Sequence, residues 1–236
     1  MTVNDYYTTL NSETNRIFSE TLSQGDAQGL AHDLVNTLQV WKSILIKYES
    51  SEMLSNSIEE LDMSCLQMMQ GTYRGSFASL RLSIEMLCGS IYYSAHNIEY
   101  KEWLNGSRDL TWSTLSCPDN GVLSKRFTDS YFPELANTSN DIHKQLKMLY
   151  RELSEMVHGN NKTWNYENPK LFFNEKLKDN YKSYIEKYSI MSNYVLCLRY
   201  LNSLTPDEVS KVETHINDSL GYIEAIRITI GGHHNG

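Results

Sequence analysis

The chain has 236 residues, of which 40% are hydrophobic and 21% charged, and its formal net charge is −8 at pH 7. That length holds one large or two small domains around a sizeable core. The acidic total excludes a protein that coats nucleic acid by bulk electrostatics, while leaving room for a local basic groove.

Only four prolines punctuate the chain, strand signals are scarce, and helical periodicity recurs. Residues 4–22 read as a first helix with the sparse stripe Tyr6, Leu10, Ile17 and Leu22. Gly25 breaks it, and Asp26 is placed to cap a second helix through Leu30, Leu34, Leu38, Trp41, Leu45 and Tyr48. A third segment opens at Ser50-Ser51-Glu52 and runs through Leu80, Ile84, Leu87 and Ile91, with an interruption expected at Gly71 or Gly75. A shorter helix covers Ile98 to Leu104. Residues 106–121 are irregular, with a turn around Pro118. A short piece from Leu123 to Phe132 follows, and Pro133 ends its regularity. Asn140 to His158 is a well-patterned amphipathic helix, 160–172 a polar loop around Trp164 and Pro169, and about Glu175 to Leu204 a long helix. Thr205-Pro206-Asp207-Glu208 opens another, with Pro206 at its first helical position, and the tail from Gly231 frays. These patterns predict an all-α protein: an N-terminal helical extension over 1–60, a helical bundle over 61–205, and a C-terminal helix and tail over 206–236.

The four cysteines, Cys65, Cys88, Cys117 and Cys197, lie far apart without a C-x-x-C pair or matching histidines, so they read as reduced, buried small hydrophobes. The most apolar window, Phe77 to Tyr93, carries Arg81 and Glu85, which forbids an ordinary membrane span. The first twenty residues lack a signal-peptide core, so the expectation is a soluble cytoplasmic protein without membrane contact. There is no Gly-rich phosphate loop, serine-hydrolase elbow or His-Glu-x-x-His motif, and no metal or cofactor is expected. Arg81 and Glu85, one turn apart, read as a partly buried ion pair.

The helix ending at His158 carries the most informative residues. On a helical wheel Ile142, Leu146, Leu149, Leu153, Met156 and Val157 share one side, while Lys144, Lys147, Arg151, Ser154 and His158 share the other, with Glu155 among them. Arg151 and His158, almost two turns apart, therefore project from one face that the core does not require. Gly159 suits the left-handed position past a helix end, which puts His158 in the last turn, where the negative end of the helix dipole favours the imidazolium. A permanently charged guanidinium beside an imidazole suits phosphodiester chemistry: one holds the phosphate, the other moves a proton. Lys144 and Lys147 are placed to guide a polyanion; Trp164 reads first as a loop-packing residue and, alternatively, as one that stacks on a base at the mouth of a cleft. The competing reading is a solvated helix face whose charges serve solubility, with Glu155 neutralising Arg151 in a surface pair.

Arg151, six intervening residues and His158 resemble the R-x4-6-H motif of the HEPN superfamily, at its longest spacing. The run Tyr150-Arg151-Glu152-Leu153-Ser154-Glu155-Met156-Val157-His158-Gly159 is similar to the late-helix signature of HEPN-like bacterial proteins, several of them linked to abortive infection. Leu80-Arg81-Leu82-Ser83-Ile84-Glu85 is similar to an Arg/Glu pair on an earlier helix of such proteins, and the likeness covers roughly residues 65–205. The resemblance implies a helical bundle that forms a homodimer with a composite cleft. It implies a metal-independent endoribonuclease of phage defence or toxin type, with Arg151 on the phosphate and His158 as acid/base. RNA would be the substrate, Lys144, Lys147, Ser154 and Trp164 its further contacts, and an antitoxin or regulatory partner would restrain it. Active members often carry Asn, Asp or His after the arginine, where this chain has Glu152; a catalytically inactive HEPN-like binding or regulatory module is the alternative.

Overall fold

A computed structural model describes residues 1–158 and 171–233. Gly159, Trp164, the rest of the polar loop through Lys170 and the last three residues lie outside them, and with them the expected left-handed cap and the base-stacking tryptophan. Among the described residues there are eleven α-helices and no strand: α1 (Val3–Gln24), α2 (Ala27–Leu45), α3 (Ser51–Met69), α4 (Tyr73–Tyr93), α5 (Asn97–Leu104), α6 (Trp112–Leu115), α7 (Lys125–Tyr131), α8 (Ala136–Val157), α9 (Glu175–Tyr200), α10 (Pro206–Leu220) and α11 (Glu224–Thr229). The protein is an all-α bundle, as the periodicity predicts.

Local chemistry sets the helix ends. Asp26 accepts from the Ala27 amide at 2.7 Å and starts α2. Thr205 and Glu208 form a reciprocal capping box at the head of α10, with Pro206 at its first position. A second box, Thr2 with Asp5, opens α1. Of the two candidate breaks after α3, Gly71 is the real one: its φ is +76°, and a Cβ there would lie 2.8 Å from the Phe172 carbonyl oxygen. Pro133 behaves differently from expectation. It opens a 3-10 turn, Pro133–Leu135, that leads directly into α8 at Ala136, because a fixed φ without an amide proton suits a helix start.

The long helices α3 and α4 form an antiparallel hairpin whose contact line is built from hydroxyls. Ser57 Oγ donates to the Ser83 carbonyl at 2.8 Å and Ser83 Oγ to the Ser57 carbonyl at 2.7 Å, while Tyr188 from α9 reaches both hydroxyls at 3.1 and 3.0 Å. At heptad spacing in both directions the pattern recurs: Ser64 Oγ donates to the Ser76 carbonyl at 2.8 Å and to Tyr181 at 3.3 Å, and Ser90 Oγ to the Ser50 carbonyl at 3.0 Å. Small side chains let the two backbones approach, and buried pairing satisfies the hydroxyls of Ser57, Ser64, Ser83 and Ser90 that this close approach removes from water.

Around this hairpin α2 packs on α3, α8 packs on α4, and α9 crosses α2, α4 and α8. The core runs continuously from Ala27 to Ile230. Trp41, fully buried on α2, donates to Asn193 Oδ1 at 3.1 Å, and Asn193 donates onward to Ser219 Oγ at 3.1 Å, tying α2, α9 and α10 together. α10 buries Val212, Ile216 and Leu220. Only the C-terminal half of α1 packs: Ile17 and Thr21 are buried, whereas the first nine residues are exposed. No helix among the described residues is long and apolar enough to cross a membrane. Cys88 and Cys197 are buried and all four cysteines are free; burial pushes the Cys65 thiol up to about 11, far from a reactive thiolate.

Candidate functional site

α8 is the element that carries the candidate residues, and its two sides separate as the wheel predicts. Ile142, Leu146, Leu149 and Leu153 are buried, and Met156 and Val157 pack at the edge of the core. Lys144, Lys147 and Arg151 are exposed, as is His158, the C-terminal cap residue. The His158 amide still donates to the Ser154 carbonyl at 2.9 Å, but its ψ of 156° turns the chain out of the helix. Ser154 is half-buried and its hydroxyl donates back to the Tyr150 carbonyl at 2.7 Å, so its proton is already committed.

The charges of this face are organised into pairs. Arg151 Nε donates to Glu155 Oε1 at 3.0 Å, with 80% of the arginine side chain exposed. Lys144 Nζ lies 3.1 Å from Asp141 Oδ1. Glu152, which as a bare acid would repel RNA, is held by Lys187 Nζ of α9 at 3.2 Å. Exposed pairs of this kind are worth at most about 1 kcal/mol and exchange readily with solvent or a polyanion.

Two groups that the sequence pattern does not single out belong to the same end of α8. Arg74, at the start of α4, donates from Nη1 to the Val157 carbonyl at 3.1 Å, one residue from His158. A guanidinium there satisfies a terminal carbonyl and complements the helix dipole. Its sequence signal is weak, an arginine just after a glycine turn, and only the packing of α4 on α8 gives it meaning.

The second group is Tyr150, buried beside Arg151. Its hydroxyl donates to Glu85 Oε1 at 2.5 Å and accepts from Arg81 Nε at 2.9 Å, while Arg81 and Glu85 pair directly at 3.1 Å. Trp112 of α6 stacks on the Tyr150 ring with centroids 3.8 Å apart and planes 8° apart. Burial, then the Glu85 carboxylate, push the Tyr150 phenol up to about 12. The Arg81–Glu85 pair expected from spacing is therefore present and partly buried, and it clamps the inner side of α8 below Arg151.

Four cavities among the described residues have neither Arg151 nor His158 in their walls. Among the described residues Arg151, His158, Lys144 and Lys147 lie on the exposed side of α8. Among the described residues no cluster of three or more His, Cys, Asp or Glu side chains is placed to hold a metal ion. The fold and this face define a helical-bundle protein with an exposed, charge-paired helix side. No protein family, curated protein or solved structure matches the chain.

Proposed function

We propose that the chain is a metal-independent endoribonuclease of HEPN type, acting in phage defence or as a toxin, with the outer face of α8 as its active surface. The supporting observation is that Arg151 and His158 share the side of α8 that the core does not use. In the proposed reaction the imidazole of His158 takes the proton of an RNA 2′-hydroxyl as that oxygen bonds to the adjacent phosphorus. The bond from phosphorus to the 5′-oxygen breaks, that oxygen is protonated, and a cyclic phosphate end remains. Arg151, exchanging Glu155 for the phosphate, holds the charge that builds on the non-bridging oxygens. Lys144 and Lys147 guide the backbone along the helix. An open face on one chain excludes little water, so a homodimer that sets two such faces against each other completes the cleft. An antitoxin or regulatory partner would cover the same face.

The test is incubation of the purified chain with RNA in EDTA. Cleavage lost in both Arg151→Ala and His158→Ala, with the fold intact, supports the reading; cleavage that survives His158→Ala rejects the mechanism. The Arg151–Glu155 and Lys187–Glu152 pairs favour a second reading, a catalytically inactive HEPN-like binding or regulatory module. RNA bound without cleavage, with affinity raised by Glu155→Gln, selects that reading.

A further inference from the structure

α2, α9 and α10 pack on one another, and a groove of about 320 Å³ remains between them. On α2 its wall runs from Leu30 to Thr37 and on α9 from Ile185 to Asn193, with a side chain every turn, and α10 contributes His215, Asp218 and Ser219. Counted at ~1.5 Å per residue, the α9 wall is about 12 Å long, roughly two helical turns. No residue of α8 lines the groove, so its role stands apart from the proposed ribonuclease face.

The buried polar groups among these residues pair with one another. Thr37 Oγ1 and His215 Nδ1 lie 3.1 Å apart, joining α2 to α10, and Asn193 donates to Ser219 Oγ at 3.1 Å, joining α9 to α10. The apolar surface comes from Leu30 and Leu34 on one wall and from Ile185 and Ile190 on the other. Leu34 and Ile185 are buried, while Leu30 and Ile190 are half-buried and keep part of their apolar area in contact with solvent. Covering that area is favourable in proportion to its size.

The exposed members of the lining are Asp33, Glu186 and Asp218, one from each helix and all of one charge. None of the three forms an ion pair among the described residues. The lysines nearest to them along α9 and α10 are held elsewhere: Lys182 by Asp26 at 3.2 Å, Lys187 by Glu152 at 3.2 Å and Lys211 by Asp207 at 2.8 Å. The groove therefore offers apolar walls edged by negative charge that the described chain does not compensate.

We infer that this groove docks an amphipathic helix of a partner protein whose apolar side is edged by Lys or Arg. Apolar residues at i, i+4 and i+7 of that helix span the two turns of the α9 wall, and the flanking cations meet Asp33, Glu186 and Asp218. Charge complementarity selects this occupant. A second copy of the chain brings its own net charge of −8 to a negative rim. An extended polycation answers the rim but leaves the apolar walls wet.

Fluorescence anisotropy on the full chain tests this with a labelled synthetic peptide of Leu and Lys whose leucines share one helix face. Physiological salt screens charges more than about 8 Å apart, so the acidic total of the chain contributes little. The peptide is expected to bind at least tenfold more tightly than the same residues in scrambled order, and than a Leu/Glu peptide of the same pattern. Asp33→Asn, Glu186→Gln and Asp218→Asn together are expected to weaken it at least tenfold. Glu59→Gln, Asp119→Asn and Glu134→Gln, the same change in charge at exposed positions elsewhere, are expected to leave it unchanged. Equal binding of the scrambled peptide, equal loss in the two triple variants, or no binding at all overturns the assignment. The peptide comparisons use the unaltered chain, so they decide the matter even if a triple variant fails to fold.

Discussion

Tyr150 shows how much one buried hydroxyl can organise. It joins Arg81 and Glu85 on α4 to α8 and carries Trp112 on its ring. Its phenol titrates near 12 in the fold against an ordinary value of 10. Because the folded-state value is raised, the neutral hydroxyl's contribution is complete below pH 10 and is lost as pH rises from 10 through 12. Urea denaturation at stepped pH should show that alkaline loss in the native chain and a smaller one in Tyr150→Phe. At pH 7 the same substitution should cost about 1–3 kcal/mol, since Arg81 and Glu85 lose a shared partner while partly buried. Arg151, its chain neighbour, is the opposite case: exposed, and paired only across one helical turn. Arg151→Ala should change thermal stability by less than about 0.5 kcal/mol, so any loss of RNA cleavage in that variant reports on chemistry. The sequence reveals Arg81–Glu85 because the two are one turn apart. It hides Tyr150, which is 65 positions from Glu85 and meets it only when α8 packs on α4.

Helices were readable where their apolar period is long and their caps are chemical. Asp26, Thr205 and Pro206 mark starts that the structure reproduces. α11 escapes notice because six residues make too little periodicity, although Ile223, Ile226 and Ile230 are all buried. The serines of the α3–α4 hairpin escape for a different reason. Polar residues at heptad spacing count as surface in a hydrophobicity pattern, and nothing local says that Ser57 will face Ser83. The reverse of that hairpin at Gly71 carries a sharp expectation. An alanine there combines an unfavourable positive φ with a methyl 2.8 Å from the Phe172 carbonyl and 3.1 Å from Ile17. Gly71→Ala should cost more than about 1 kcal/mol in chemical denaturation, the combined effect of backbone strain and displaced neighbours.

At the level of the molecule, a low proline count and recurring period were enough for the all-α architecture, whereas the order of packing was not, since amphipathic helices accept many partners. The candidate face was readable to the same depth: the wheel separates Arg151 and His158 from the core, but their ion pairs and the approach of Arg74 exist only in three dimensions. The repeating hydroxyl line has a consequence for how this chain associates. Ser50, Ser57 and Ser64 meet Ser90, Ser83 and Ser76 by rules that do not depend on which chain supplies each helix. The turn at Gly71 alone keeps the exchange within one molecule. Straining that turn favours an opened hairpin, and α3 of one copy can then lie on α4 of another with every bond preserved. Gly71→Ala refolded at high protein concentration should therefore hold a domain-swapped fraction that elutes ahead of the native assembly on size exclusion and reverts only through unfolding.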